Sequence, residues 1–185
     1  MDPRVERTRS TALSAARRLL VDNGVDAVTH LRVAEASGVG RRTLYRHWPD
    51  ALTLLHDTLA HADVPHADTT GDLRHDLIAH LDALRSALQD GHLGFVVSLL
   101  GERSHLDPTF EQLRRTLTDA GCEPLRHILT TATENNELPP DLNLPAALAQ
   151  LEGPVFYRCM VKREHLLRTD VQPIVDHFLR NPAVT

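Results

Sequence analysis

Side chains that can bind phosphates and base edges are concentrated in one short stretch of this chain, residues 40–47. Arg41, Arg42 and Arg46 supply three guanidinium groups there, and Tyr45 and His47 supply a hydroxyl and an imidazole. Guanidinium groups bind both phosphates and the guanine edge in the major groove, and hydroxyl groups are common phosphate ligands. No acidic residue interrupts the stretch. The chemistry that these residues favour is therefore contact with DNA.

The residues before and within this stretch predict two short helices that would present it to a DNA groove. Ala34 is small where two helices must cross closely, and Gly38, four residues later, suits a turn with positive φ. Val33, Val39 and Leu44 are apolar where such a unit needs a core. The spacing therefore predicts a helix-turn-helix whose second helix carries the arginines.

These residues also resemble the DNA-binding domain of the tetracycline-repressor (TetR) family of bacterial transcriptional regulators. The matching pattern starts at Thr29, continues through Val33-Ala34 and Gly38-Val39, and ends in Thr43-Leu44-Tyr45-Arg46-His47-Trp48-Pro49. A helix from about Val5 to Asn23 precedes it, and another begins at Asp50. Family members commonly have a lysine at the start of that later helix, where this chain has Ala51. Free N–H groups at the same helix end are an alternative phosphate ligand.

The resemblance implies roles for individual residues of the predicted helix-turn-helix. Tyr45 and His47 are expected to bind phosphates, with packing against Trp48 as the alternative for both. Thr29 is expected to cap the first helix of the pair, while Leu44 and Trp48 are assigned to the core. The predicted DNA-binding residues are Thr29, Arg32, Gly40, Arg41, Arg42, Thr43, Tyr45, Arg46 and His47.

Charge is divided unevenly along the chain. Residues 1–50 contain nine arginines and six acidic residues, a net charge of +3, so the rest carries −8 of the total −5 at pH 7. A basic segment supplies the counterion release that dominates affinity for DNA.

The hydrophobic fraction of 42% argues against disorder. Because no run of 18 apolar residues occurs and the first residues are charged, we expect a soluble cytoplasmic protein with Cys122 and Cys159 reduced.

Apolar residues recur at three- and four-residue steps through most of the remaining chain, which predicts helices. Those helices are predicted at about Asp72 to Gln89, His92 to Ser104, Pro108 to beyond Leu129, Pro145 to Arg163, and Val171 to Arg180. Gly91 is expected to end the first of them, and Pro124 to kink or interrupt the third. The predicted fold is all-α, with a three-helix helix-turn-helix DNA-binding domain over residues 1–60 and a helical ligand-binding and dimerisation domain over residues 61–185.

A second resemblance is to a segment of the TetR-family C-terminal domain. It covers Leu151-Glu152-Gly153-Pro154-Val155-Phe156-Tyr157-Arg158. The resemblance implies a homodimer in which the last two helices pair with their copies in a four-helix bundle. The alternative is that the apolar sides of these helices close the chain's own core. The predicted interface residues are Leu148, Leu151, Val155, Cys159, Ile174, Val175 and Phe178.

The resemblance further implies a repressor that binds a palindromic operator and is released by a small molecule. The predicted effector-binding residues are Phe95, Leu99, Phe110, Leu113, Leu117, Phe156, Tyr157 and Met160. Their apolar character favours a hydrophobic ligand with one acidic or hydrogen-bonding end. The alternative is a DNA-binding regulator that has no small-molecule effector and is controlled by a protein partner. A large cavity in the C-terminal domain would favour the first hypothesis, and a filled core with an exposed apolar patch the second.

Twelve histidines raise the question of a metal site. A cluster with nearby aspartates spans the predicted domain boundary and comprises His56, His61, Asp63, His66, Asp68, Asp72, His75, Asp76 and His80. Its histidine spacing does not match that of zinc ligands on a helix, so we predict neither a metal nor another cofactor. Since no Gly-rich phosphate loop, nucleophile elbow or His-Glu-x-x-His pair occurs, we also predict that the chain is not an enzyme.

Overall fold

The computed structural model describes residues 3–60, 68–89 and 93–184. Within these ranges the chain forms nine α-helices and no β-strand, and one isolated bridge pairs Leu142 with Val184. The predicted all-α fold class is confirmed. No helix in the described ranges is both long and apolar enough to cross a membrane.

The first four helices have sequence signals at their ends. They are α1 (Pro3–Asn23), α2 (His30–Ser37), α3 (Arg41–His47) and α4 (Ala51–Ala60). Gly24 ends α1 with a φ of 81°, and Gly38 ends α2 with a φ of 72°, conformations that cost glycine little. The Thr29 hydroxyl accepts a hydrogen bond from the Arg32 N–H at 3.3 Å, which satisfies one of the free donors at the start of α2.

Small and apolar side chains hold these four helices together. Helix α1 packs against α2 and α4, and α2 packs against α3. Ala12, Ala15 and Ala16 are fully buried on α1, which lets the neighbouring helices approach closely. Leu44 is 0% exposed and Trp48 2% exposed, so their assignment to the core is confirmed. Burial of a leucine contributes about 1.5–3 kcal/mol to stability.

Five further helices follow along the described chain. They are α5 (Leu73–Gln89), α6 (Leu93–Arg103), α7 (Pro108–Glu134), α8 (Leu144–Phe156) and α9 (Arg168–Arg180). Asp72 caps α5 by accepting from the His75 N–H, and Asp107 and Asn143 cap α7 and α8 in the same way. The predicted positions Gly91 and His92, between α5 and α6, lie outside the described residues.

The described residues divide into two compact units. The N-terminal unit comprises the described residues up to 63 together with Leu99–Leu113, and the C-terminal unit comprises those of Val64–Ser98 and Arg114–Thr185. The chain therefore passes from one unit to the other within α6 and again within α7. A single boundary near residue 60 remains a prediction.

Two helix predictions are corrected by the structure. Helix α7 runs without interruption from Pro108 to Glu134 although it contains Pro124, so the predicted interruption is wrong and a kink stays a prediction. Helix α8 ends at Phe156 rather than Arg163, and a π-helical turn follows over Tyr157–Val161. In this turn the Lys162 N–H donates to the Tyr157 carbonyl five residues earlier. Arg163 then adopts a left-handed φ of 57°.

The core of the C-terminal unit contains most of the residues predicted for a dimer interface. Helix α5 packs against α8 and α9, which also pack against each other. Within the single chain, side chains of the predicted interface are 0–7% exposed: Leu148, Leu151, Val155, Cys159, Val175 and Phe178. Ile174 is half-buried. The six buried side chains therefore help to close the chain's own core. A role of these residues in a dimer interface stays a prediction.

Candidate nucleic-acid interface

Helix α3 presents its arginines to solvent and its leucine to the core. Arg41, Arg42 and Arg46 are exposed, whereas Leu44 is fully buried against the rest of the N-terminal unit. Within the described part of the chain, none of these three arginines forms an ion pair or a side-chain hydrogen bond. All three guanidinium groups can therefore bind an external anion without breaking an internal contact.

The other predicted DNA-binding residues flank these arginines. Thr43 and His47 are half-buried, and the His47 ring lies 5.6 Å from the Trp48 ring at a tilt of 50°. This contact is the packing alternative that the sequence left open for His47. Arg32 is exposed, and its guanidinium donates to the Asn23 side-chain oxygen at 3.2 Å.

Gly40 precedes α3 with a φ of −59°, a value that any residue can adopt. A Cβ atom placed at this glycine would meet no atom within 4 Å. The chain's own packing therefore does not require a glycine there, and the exposed backbone is open to a ligand that approaches closely.

His30 holds the exposed Tyr45 in place and was not singled out by the sequence analysis. The His30 side chain is buried, and its Nε2 lies 2.7 Å from the Trp48 carbonyl oxygen, to which it donates. Its ring stacks on the Tyr45 ring with centroids 4.0 Å apart and planes 9° from parallel. Tyr45 itself is 55% exposed. His30 lies three residues before the buried Val33, and this helical spacing is a signal that could have marked it as facing inward.

Asp57 on α4 was also missed, and it links α1 to the end of α3. Its Oδ2 accepts from the Trp48 indole N–H at 2.8 Å and from the Arg9 guanidinium at 2.6 Å. The hydrogen bond to Asp57 raises the pKa of Arg9 above its ordinary value. The indole is a buried donor that needs a partner. The sequence gives no local spacing that pairs residues so far apart.

The start of α4 differs from the expectation that its N–H groups are free for phosphate. Asp50 Oδ1 accepts from the Thr53 N–H at 2.7 Å and from its hydroxyl at 2.8 Å. These bonds lower the pKa of Asp50 below its ordinary value, so its carboxylate is ionised at neutral pH. An anion already occupies this helix end, which disfavours a phosphate there.

The predicted effector-binding residues are distributed over both compact units. Leu99, Phe110 and Leu113 belong to the N-terminal unit and are buried. The remaining ones belong to the C-terminal unit, where Tyr157 is 55% exposed and the others are half-buried: Phe95, Leu117, Phe156 and Met160.

A cleft of about 100 Å³ lies elsewhere in the C-terminal unit, between the start of α5 and the end of α7. Its lining includes Asp76, His127 and Thr131 but no residue predicted to bind the effector. Sites for drug-sized ligands usually have a volume of about 300–1,000 Å³. This cleft is too small for the predicted hydrophobic effector.

The histidine and aspartate cluster does not form a metal site where the structure describes it. His61, Asp63 and His66 lie outside the described residues. Among the residues that are described, no group of three or more His, Cys, Asp or Glu side chains is arranged to hold a metal ion. Asp76 instead binds the Thr70 N–H and hydroxyl and the Gly71 N–H at 2.7–3.0 Å.

Comparisons with known proteins cover both parts of the chain. The model of bacterial regulatory proteins of the tetR family matches residues 12–57, which include α2, α3 and most of α4. The model of the tetracyclin repressor-like C-terminal domain matches residues 67–178. The two matches together span the helix-turn-helix and nearly all of the C-terminal helices.

Individual relatives agree with these matches. The chain is 31% identical to the DNA-binding transcriptional repressor TetR of Mycobacteroides abscessus over 74% of each protein. It is 26% identical to the uncharacterized HTH-type transcriptional regulator YdeS of Bacillus subtilis (strain 168), over 99% of this chain and 93% of that protein. The crystal structure of the TetR family transcription regulator SCO0332 superposes with a TM-score of 0.74 at 29% identity, covering 94% of this chain and 97% of that one.

Proposed function

Because the chain belongs to the TetR family of DNA-binding transcriptional regulators, we propose that it is a repressor that binds a palindromic operator as a homodimer. We further propose that a small hydrophobic molecule, bound by the C-terminal unit, releases it from the operator. In this mechanism the ligand favours a conformation in which the two α3 helices no longer fit successive major grooves, which lie about 34 Å apart.

The observation that carries the proposal is the set of three exposed arginines on α3 that have no partner in the described chain. An exposed guanidinium group next to a second and a third is repelled by them, and that repulsion is relieved when an anion binds. Arg41 and Arg42 lie in the first turn of α3 and are proposed to read base edges. Arg46 lies one turn later, and Tyr45, His47 and Thr29 are proposed to bind phosphates.

The proposed dimer uses a face of α8 that the chain's own core leaves open. Ala149 and Gly153 lie four residues apart on α8 and are both exposed, and Tyr157, in the π-helical turn that follows, is exposed as well. A Cβ atom at Gly153 would meet nothing within 4 Å in the single chain. Ala149 and Gly153 are small, so they allow a second helix to approach closely.

Selection of bound sites from random DNA tests the operator assignment. The proposal expects enriched sequences with two inverted half-sites, whose centres lie about one helical turn apart or a multiple of it. Enrichment of single, unpaired half-sites would contradict the homodimer. A failure to enrich any sequence from a library with a random segment of about 30 base pairs would contradict sequence-specific repression.

A substitution at Gly153 tests the dimer face without disturbing the core. Gly153→Arg is expected to convert the dimer to a monomer in sedimentation experiments at micromolar concentration, because the new side chain occupies the space of the second helix. Gly101→Arg is the matched control, since this exposed glycine on α6 also has open space at its Cβ position. A wild-type chain that sediments as a monomer would contradict the proposal directly.

The proposed effector is supported by large apolar side chains that the C-terminal unit leaves half-buried, among them Phe95, Leu117, Phe156 and Met160. A ligand that covers them should raise the melting temperature of the free protein and weaken operator binding. By linkage the operator must weaken ligand binding by the same factor. A broad set of apolar compounds that produces neither effect would favour control by a protein partner instead.

A further inference from the structure

His30 contacts both the residue that ends α3 and the exposed Tyr45 on its surface. It is the first residue of α2, directly after the Thr29 cap, and its side chain is 5% exposed. Its Nε2 donates to the Trp48 carbonyl oxygen at 2.7 Å, and its ring lies nearly parallel to the Tyr45 ring with centroids 4.0 Å apart. A titratable ring therefore packs directly against a side chain that is proposed to bind a phosphate.

The contacts of His30 are compatible with both of its charge states. A carbonyl oxygen only accepts hydrogen bonds, so Nε2 carries a proton in the neutral ring as it does in the imidazolium. The second proton enters at Nδ1, and no hydrogen bond in the described part of the chain involves that nitrogen. Protonation of His30 therefore adds a positive charge without breaking a contact. Histidine is the side chain whose charge ordinarily changes between about pH 5 and pH 8.

Two groups near His30 favour its charged form. The face of the Tyr45 ring, on α3, attracts a cation through its quadrupole. The Asp50 carboxylate lies in the turn before α4. Its pKa is lowered mainly by the hydrogen bonds from Thr53, and the charge of His30 lowers it in the same direction. An ionised Asp50 near the imidazole therefore stabilises a proton on His30.

Other charges nearby either cancel or oppose protonation while the protein is free. Arg9 on α1 and Asp57 on α4 pair with each other at 2.6 Å, and on α2 itself Arg32 and Glu35 are exposed and opposite in sign. The open arginines of α3 repel a further cation, and the N-terminal end of α2, where His30 lies, carries a partial positive charge. An incoming anion is therefore needed to favour the imidazolium fully.

A DNA phosphate bound by the Tyr45 hydroxyl brings such an anion close to the stacked imidazole. We propose that His30 is a positioning residue for DNA binding, whose protonated ring holds Tyr45 against the phosphate, so that protonation and DNA binding strengthen each other. This inference rests on the proposed binding of DNA by α3 and adds a dependence on pH. By linkage, affinity must rise as the pH falls through the histidine range, and binding must take up protons.

His30→Gln tests the proposal on the full chain. The glutamine amide can still donate to the Trp48 carbonyl but carries no charge at any pH. A unit charge a few ångströms from a phosphate at a protein surface is worth a factor of about ten in affinity. At fixed salt, the loss of operator affinity caused by His30→Gln is therefore expected to be at least about threefold larger at pH 6 than at pH 8. An equal loss at both pH values indicates a merely structural role and would overturn the proposal.

Two further variants locate the effect. His105→Gln removes an exposed histidine of the same compact unit and is expected to leave the pH dependence of DNA binding unchanged. Tyr45→Phe keeps a stacked ring but removes the hydroxyl, and it is expected to reduce the pH dependence because the phosphate is no longer held beside His30. A full pH dependence in Tyr45→Phe would show that His30 does not act through Tyr45. His47 is present in all of these proteins, so its own titration cancels in the comparisons.

Proton uptake provides a measurement that needs no substitution at His30. Calorimetric titration of the operator near pH 6.5, in two buffers of different ionisation enthalpy, gives the number of protons bound with the DNA. The wild-type protein is expected to take up protons, and Tyr45→Phe is expected to take up fewer. Proton release by the wild type, or equal uptake by both proteins, would contradict the proposal even if His30→Gln fails to fold.

The same comparison on non-specific DNA separates this inference from the proposed repressor function. Phosphate contacts carry no sequence information, so the His30-dependent effect of pH is also expected on a duplex of arbitrary sequence at low salt. If site selection enriches no sequence while this effect is present, the repressor proposal fails and the role of His30 stands. Specific operator binding with the same pH dependence in wild type and His30→Gln contradicts the role of His30 and leaves the repressor proposal standing. A chain that binds neither duplex contradicts both.

Discussion

The arginines of α3 differ from several arginines of the C-terminal unit in what they contact. In the C-terminal unit Arg74 pairs with Asp176 at 2.8 Å, and Arg158 pairs with Glu164 at 2.6 Å. On α3 of the N-terminal unit the arginines make no such pair within the described chain. A cation paired internally supports the fold, whereas one left open is available to an external anion. The difference indicates that α3 is built for a partner that supplies the counter-charge.

The apolar side chains of the C-terminal core, unlike the open arginines of α3, already have their partners within the chain. A charge placed in this core is expected to have the largest effect on stability. Phe178 is 0% exposed, so Phe178→Glu buries an unpaired carboxylate and is expected to cost at least about 3–5 kcal/mol of unfolding free energy. Urea unfolding should show a destabilised C-terminal unit. A fully stable, folded monomer would mean instead that Phe178 lies in a subunit interface.

A buried carboxylate at the start of α5 gives a smaller, pH-dependent effect. Burial raises the pKa of Asp76, but hydrogen bonds from Thr70, Gly71 and His75 outweigh it and leave the pKa below its ordinary value. A depressed pKa adds stability above the unfolded-state value of about 3.9, and this stability is lost as pH falls through the lower folded-state pKa. Asp76→Asn should therefore cost about 1–3 kcal/mol at pH 7.

Unfolding of the same two proteins at low pH is the control for the Asp76 prediction. The difference in urea midpoint between wild type and Asp76→Asn should shrink when unfolding is measured at pH 3, which lies below the unfolded-state pKa of about 3.9. A difference that stays constant between pH 7 and pH 3 would show that the carboxylate charge is not what stabilises this end of α5.

His30 tests whether the open surface of α3 depends on the packing beneath it. His30→Leu removes the stacking on Tyr45 and the hydrogen bond to Trp48, and it is expected to weaken operator binding about tenfold, equivalent to about 1.4 kcal/mol. If His30 acts through Tyr45, the double variant with Tyr45→Ala should bind no more weakly than Tyr45→Ala alone. Additive losses in this double-mutant cycle would assign His30 a separate role.

The smallest effect is expected for an exposed pair of the C-terminal unit. Arg74 and Asp176 are solvent-exposed, and pairs of this kind contribute little to stability because water screens them. Arg74→Ala should leave the urea midpoint nearly unchanged. A large shift of the urea midpoint would contradict the expectation that this exposed pair contributes little to stability.

Local signals predicted the N-terminal unit well. Gly38, Thr29 and Leu44 take the conformation, cap and burial that their types indicate, because a turn, a helix start and a small core are decided within a few residues. Contacts between distant residues were not predictable in this way. The link from Asp57 to Arg9 depends on how α1 and α4 pack, and no spacing in the sequence encodes it.

The C-terminal unit shows the limit of pattern reading more clearly. The spacing of apolar residues correctly predicted the helices α8 and α9. It cannot show whether the apolar face of a helix packs against its own chain or against a second copy. Tertiary packing assigned Leu151 and Val175 to the core against α5. The contacts of Glu152 with His80 and Cys122 could not be predicted for the same reason. The three residues lie on three different helices, and His80 and Glu152 are 72 positions apart in the sequence.

The most direct test of the account compares two double variants that remove the same charge. Arg41→Ala with Arg42→Ala takes two open arginines from α3, and Arg74→Ala with Arg126→Ala takes two paired ones from the C-terminal unit. Measured on the selected operator at fixed salt, the first is expected to lose at least about 100-fold in affinity with its helicity and dimer intact, and the second to stay within about twofold. Equal affinities for the two variants would contradict the assignment of α3 as the DNA-reading helix.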